Sequence, residues 1–215
     1  GRGNYSNAMS QMPIDKNKKM IALTYDDGPS AYTPLVLDAL AKYGGHATFF
    51  VVGSSVNRYA DSLRRAVALG CEIGNHTYSH NNLKNLSAAQ VQSALQATSQ
   101  AVRNQTGAEV RLLRPPYGSY STSTSSAAGM PVIMWSIDTL DWKTRSTSAT
   151  IQCVQNKAYD GAIILMHDLH QPTAMAADAV IKNLTDAGYQ LVTVSELAAY
   201  RGGLQIGSAY NQFRR

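Results

Sequence analysis

Cysteine is scarce in this 215-residue chain: Cys71 and Cys153 allow at most one internal disulfide and no cysteine-based metal cluster. Charge is sparse as well. Only 15% of residues are charged while 44% are apolar, which excludes a disordered, solvating chain. Long apolar runs are missing. The longest, Ala162 to Met166, falls far short of the roughly 20 residues a membrane-spanning helix requires, so no span is expected. A basic stripe interleaved with aromatics is also lacking. Nineteen Lys and Arg against fourteen Asp and Glu leave +5, a solubilising surface with at most a bias toward an anionic partner, and nucleic acid is not expected. The first residues show no charged, then apolar, then small-residue signal pattern, which leaves a native export signal open. Ser6-Asn7-Ala8-Met9 resembles a scar of tag removal, and residues 1–18 read as that scar plus a polar leader.

What is present suits one domain with one core. Met20 to Tyr25 reads as a strand. Thr33 as N-cap and Pro34 as first helical residue then open a helix that stops at Gly44-Gly45. A strand at Ala47 to Val52, a helix from Val56 to Leu69 and a short strand at Cys71 to Gly74 follow. Ser87 to Gln90 has capping-box spacing and starts a long helix with Val91, Leu95 and Val102 on one face. Further strands are expected at Val110 to Leu113, Pro131 to Ser136, Ala162 to Met166 and Gln190 to Val194, and helices at Ser148 to Lys157 and Thr173 to Ala187. Regular alternation implies a parallel sheet covered by helices, either doubly wound or closed into a barrel.

In parallel α/β folds chemistry gathers at the carboxyl ends of strands. Those positions hold Asp26-Asp27, His76 and His80, Arg114, Asp138 and Asp141, and His167-Asp168. Two imidazoles and a carboxylate form a common catalytic metal set with one open position, and Asp27, His76 and His80 fit it. The four-residue spacing suits a helical turn, whereas the flanking Gly74-Asn75 and Asn81-Asn82 suit a loop. If one acid of the Asp26-Asp27 pair binds metal, its neighbour is free to act as a base, the paired charge being offset by the cation and by Arg114 if it reaches Asp26 rather than pairing at the surface. Arg114-Pro115-Pro116-Tyr117-Gly118 is a stiff elbow whose next free amides belong to Tyr117 and Gly118, a candidate oxyanion donor. His167 leaves a buried strand with Asp138 and Asp141 as candidate partners. His46 and His170 read as surface residues, His170 alternatively bordering the groove.

Taken in order, Thr24-Tyr25-Asp26-Asp27-Gly28-Pro29, His76-Thr77-Tyr78-Ser79-His80, Arg114 to Gly118, Asp138-Thr139-Leu140-Asp141-Trp142 and Leu165-Met166-His167 resemble five motifs. They are those of the NodB-homology polysaccharide deacetylases, carbohydrate esterase family 4. The flavour of Asp138 to Lys143 and Met166 to His170 is most like the bacterial peptidoglycan N-acetylglucosamine deacetylases. The resemblance implies a distorted (β/α) barrel of about seven parallel strands over residues 19–201, with 202–215 as a C-terminal extension. It implies a divalent metal, zinc in the first place with cobalt, nickel or iron as alternatives, on Asp27, His76 and His80. Asp26 would be the general base, His167 the general acid, Arg114 the partner of Asp26 and Asp138 the residue tuning His167. The Tyr117 N–H would bind the oxyanion, and Trp142 and Leu165 would line the pocket for the acetyl methyl. The implied activity is removal of N-acetyl groups from N-acetylglucosamine in a polysaccharide by an extracellular or cell-surface monomer. The alternatives are action on chitooligosaccharides, O-deacetylation of xylan, and a noncatalytic carbohydrate-binding module.

Overall fold

The computed structural model describes residues 13–215, so the segment read as a tag scar lies outside the described residues. Strand β1 (Met20–Asp26) is buried along its whole length, as expected for a central parallel strand covered on both faces. It pairs in parallel with β2 (Thr48–Val51) on one side and β6 (Ile163–His167) on the other. The sheet continues from β2 to β3 (Glu72–Asn75) and from β6 to β5 (Ile137–Asp138), while β7 (Gln190–Leu191) pairs with the start of β1. Parallel bridges from Asn75 to Leu113 and from Leu113 to Val132 carry the pairing on to β4 (Val132–Ile133). Because β4 runs within a few residues into β5, the segment from Val132 to Asp138 closes the sheet into a short, irregular barrel.

The two-residue period of β1 divides the core. Ile21, Leu23 and Tyr25 face outward into the layer packed by helices α1 (Thr33–Tyr43) and α8 (Gln171–Asp186), together with Val36, Leu37 and Ile181. Met20 and Ala22 face the barrel interior with Phe50, Ile133, Ile163 and Phe213. Thr24 and Asp26 continue the same inward row, so the interior grades from hydrocarbon at the amino ends of the strands to polar groups at the carboxyl ends. Register places Asp26 opposite His167 and Thr24 opposite Leu165.

Several expected elements are shifted. The helix expected over Val56 to Leu69 is two pieces, α2 (Gly53–Val56) and α3 (Ala60–Ala68). The long helix α4 (Ala88–Thr106) carries the anticipated Ser87–Gln90 capping box. Thr33 is already helical rather than the cap. Its hydroxyl accepts from Ser30 N and donates to Asp168. The strand expected at Val110 to Leu113 shrinks to the Leu113 bridges, and Pro131 to Ser136 becomes β4 alone, because this run must bend to close the barrel. Helices α5 (Thr122–Ala128), α6 (Asp141–Thr144), α7 (Thr147–Lys157) and α9 (Val194–Ala199) complete the cover. The last residues join the barrel: β8 (Ala209–Tyr210) pairs with β4, and Phe213 is buried in the interior cluster. Among the described residues no helix is long and apolar enough to cross a membrane.

Docking of this terminal segment depends on Gly161, which has φ of 95° and donates to and accepts from its surroundings through Gly161 N–Met20 O and Phe213 N–Gly161 O. A Cβ there would collide with the Phe213 carbonyl oxygen and stand 2.7 Å from its carbon, which is backbone and cannot step aside. Gly161→Ala is therefore expected to lower unfolding free energy by about 2 kcal/mol, read from the urea midpoint. An unchanged midpoint would show that the terminal segment does not lock onto Gly161.

Candidate active site

The metal-type triad is assembled from two strand ends. Asp27 follows β1 in a left-handed turn, φ 75°, which swings its carboxylate away from that of Asp26. His76 and His80 follow β3 in a loop, settling the choice between helical turn and loop. Thr77 and His80 both take positive φ, 67° and 56°, and a β-branched residue holds such a conformation only under constraint. The constraint is visible. Buried Asn75 accepts from Thr77 N and donates to Leu95 O, Thr77 Oγ1 accepts from Asn81 N, and α2 donates Gly53 N and Ser54 N to the carbonyls of Thr77 and Tyr78.

The result brings one ligand atom from each of Asp27, His76 and His80 within 4.8 Å of one another. Asp27 Oδ1 stands 3.2 Å from Nε2 of both rings, yet this buried oxygen has no hydrogen-bond partner among the described residues. His76 Nδ1 lies 2.6 Å from the carbonyl of Arg114, which fixes the proton on that nitrogen and leaves Nε2 as a lone-pair donor. Burial opposes charge on Asp27, but the two imidazoles and His167 outweigh it and hold the carboxyl far below its ordinary range. An orphaned carboxylate oxygen and converging lone pairs fit a divalent cation, with His80, half open to solvent, on the accessible side.

Asp26 sits beside the triad, 3% exposed, with Oδ2 3.8 Å from His76 Nε2. Its Oδ1 accepts from Arg114 Nη1 at 2.9 Å. Arg114 is wholly buried, and its remaining donors go to Thr24 Oγ1, Ile133 O and Met134 O, with the guanidinium 4.3 Å from the Phe50 ring. The expected pairing of Arg114 with Asp26 is therefore present.

The expected pairing of His167 with Asp138 is not. Asp141 accepts from the His167 backbone N–H through Oδ2, at 2.7 Å, and lies 2.8 Å from His167 Nδ1 through Oδ1, while Thr173 Oγ1 also donates to Oδ2. Asp138 instead shapes the turn, accepting from Leu140 N at 2.9 Å and from Trp142 Nε1 at 3.4 Å. Leu140 is left-handed, φ 57°, and this reversal turns the side chain of Asp141 inward, to 1% exposure, and leaves Trp142 on the surface. Two acids three apart were both legible in sequence; the local turn decides between them. Burial penalises the imidazolium of His167, but Asp141 chiefly, aided by Asp26 and Asp27, pushes its pKa up to about 9.

Tyr117, with φ 62°, is 72% exposed at the mouth, its ring set edge-on to His80 at 4.7 Å. The elbow's other amides are occupied, Gly118 N by Pro115 O and Ser119 N by Pro116 O. Leu165 is buried on β6 opposite Asp138. His170 stacks at a tilt 5.9 Å from His167 and so borders the mouth, whereas His46 lies elsewhere, 2.9 Å from Glu196. Asp168 is fully buried behind the Asp27 turn, a position that sequence reasoning noted without a role.

Residues 14–133 match the family profile described as polysaccharide deacetylase. The peptidoglycan-N-acetylmuramic acid deacetylase PdaC of Bacillus subtilis is 46% identical over 86% of this chain and 40% of its own length. The peptidoglycan-N-acetylglucosamine deacetylase PgdA of Listeria monocytogenes is 42% identical over 93% of this chain and 43% of its own. The chain thus spans about two fifths of these curated relatives. Among solved structures, a T48 deacetylase with substrate superposes with a TM-score of 0.88 at 38% identity, covering 93% of this chain and 100% of the other. A family 4 acetyl xylan esterase from Clostridium thermocellum, solved with cobalt, gives a TM-score of 0.85 at 33% identity, covering 92% and 100%.

The Asp141–His167 contact has a pH signature. Because the folded pKa of His167 lies above its ordinary 6.5, the contact's contribution to stability is complete below about 6.5 and is lost as pH rises through about 9. In Asp141→Asn the imidazole should titrate well below 9, followed by NMR of the ring protons. A parent-like titration would place its stabilising partner elsewhere.

Proposed function

The chain belongs to the polysaccharide deacetylase family, and from that premise we propose that it hydrolyses the N-acetyl group of an amino sugar in bacterial peptidoglycan, releasing acetate. The observation that carries this is the juxtaposition of Asp26 and His167 on register-paired strands beside the Asp27–His76–His80 triad. Asp27, His76 and His80 would hold a divalent cation, zinc in the first place, which when bound would supply Lewis-acid polarisation of the acetyl carbonyl and acidify water. Asp26, anchored through Oδ1 by Arg114, is the base that takes a proton from the attacking water. The Tyr117 N–H donates to the developing oxyanion, an interaction whose loss costs roughly 3 to 4 kcal/mol in comparable sites. His167, whose imidazolium Asp141 favours, gives its proton to the departing amine, which is otherwise a poor leaving group. Asp141, not Asp138, is the residue that tunes it. Trp142 and Leu165 border the pocket for the acetyl methyl.

The sugar is N-acetylglucosamine or N-acetylmuramic acid, each named in a relative of similar identity. Such a substrate implies action at the cell wall. Acetyl xylan is the second reading, favoured by the structural match to a xylan esterase.

Acetate release should be strong on peptidoglycan fragments, weaker on chitooligosaccharides, abolished by a chelator and restored by zinc. Release from acetylated xylan alone would move the assignment to the second reading, and no release from any of the three, with metal bound, would overturn the proposal. Asp27→Ala should lose metal, whereas Asp26→Asn should keep it and lose at least 10²-fold in kcat. His167→Ala should depress amide hydrolysis more than hydrolysis of acetyl esters with good leaving groups. Equal losses on both would remove the acid role from His167.

A further inference from the structure

Asp168 follows His167, has no part in the chemistry above, and is an acid buried to 1% exposure. Its Oδ2 accepts from Thr33 Oγ1 at 2.6 Å, and its backbone carbonyl accepts from Ser30 Oγ at 2.6 Å. Thr33 Oγ1 in turn accepts from Ser30 N, and Ser30 Oγ accepts from Tyr32 N. The carboxylate thus anchors the far end of the turn that begins with Asp26 and Asp27. It also presses against the middle of that turn. A Cβ on Gly28 would collide with Asp168 Oδ2 and stand 2.5 Å from Oδ1. Gly28 has no positive φ to explain it, so the close approach of this carboxylate accounts for glycine at that position.

We propose that Asp168 is a positioning residue: its carboxylate clamps the turn from Asp27 to Thr33 against the end of β6, setting the metal ligand Asp27 and the acid His167 at their mutual spacing. The left-handed conformation of Asp27 requires outside restraint: Val52 N donates to the Gly28 carbonyl from the β2 side, and the Asp168 clamp ties the turn to the end of the strand carrying His167. Its Oδ1, without a hydrogen-bond partner among the described residues, suits a carboxylate placed for packing against Gly28 rather than for full hydrogen bonding. The inference rests on the metal-centre reading of Asp27, but metal affinity can be measured whether or not acetate is released, so the two stand or fall separately.

The test measures zinc dissociation constants by competition with a chromophoric chelator, alongside kcat and KM, in the full chain. Asp168→Ala should weaken zinc roughly 10- to 100-fold, as loss of an outer partner of a metal site does, and lower kcat with little change in KM. Asp168→Asn, whose amide oxygen can still accept from Thr33, should stay within a few-fold of the parent. Gly28→Ala should weaken zinc by displacing the carboxylate, and adding Asp168→Ala to it should cause little further loss, since the methyl then has room. Should Asp168→Ala fail to fold, Thr33→Val supplies the same arm by deleting the donor, with the same weakening expected. Parent-like zinc affinity in Asp168→Ala or Thr33→Val, losses in Asp168→Asn equal to those of the alanine variant, or strictly additive losses in the double variant would each overturn the proposal.

Discussion

The buried pair of Arg114 and Asp26 is the interaction around which the barrel mouth is organised. A guanidinium with no exposed surface is costly unless nearly every donor is satisfied, and here four bonds, two of them to the carbonyls of Ile133 and Met134, meet that demand. The same carbonyls belong to the segment that closes the barrel, so the closure and the charge depend on each other. Removing either partner would strand a buried charge, at a cost of about 3–5 kcal/mol. The pair also holds Asp26 through one oxygen only, leaving the other directed toward the metal ligands.

Around that fixed point the functional groups sit on strained turns. Asp27, Thr77, His80, Tyr117 and Leu140 all take positive φ, and each either belongs to the site or aims a neighbour into it. Conformations of this kind cost of order 1–3 kcal/mol apiece and persist only where surrounding structure over-determines them. Strand β1, buried from end to end, and the side chains of Asn75, Asp138 and Asp168 supply that restraint. Rigidity at the strands and strain at their ends are two sides of one arrangement. It holds Asp26, Asp27, His76, His80 and His167 in place before any substrate arrives.

Much of this was legible in the amino-acid order. The alternation of apolar strands and capped helices pointed to a parallel α/β sheet, and the polar residues after each strand marked the site, because strand carboxyl ends converge whatever the loops between them do. The metal triad followed from residue type and place, whereas the pairing of Arg114 with Asp26 was implied by the resemblance to a known family. Less legible were the short or broken elements at Leu113, Val132–Ile133 and Ile137–Asp138, since two-residue strands carry no periodicity to read.

By itself, then, the sequence determined which side chains stand at the mouth of the sheet, through hydrophobic period and strand order, both of them local properties of the chain. Only the tertiary structure decided which of them touch. Asp141 rather than Asp138 reaches His167 because a left-handed residue at 140 reverses the chain. Asp168 reaches the Asp27 turn because β1 and β6 lie side by side in register. Phe213 enters the interior core, with Tyr210 packed against it, because β8 pairs with β4. Each of these depends on distances between segments far apart in the chain, and such distances are set by packing rather than by the order of neighbouring residues.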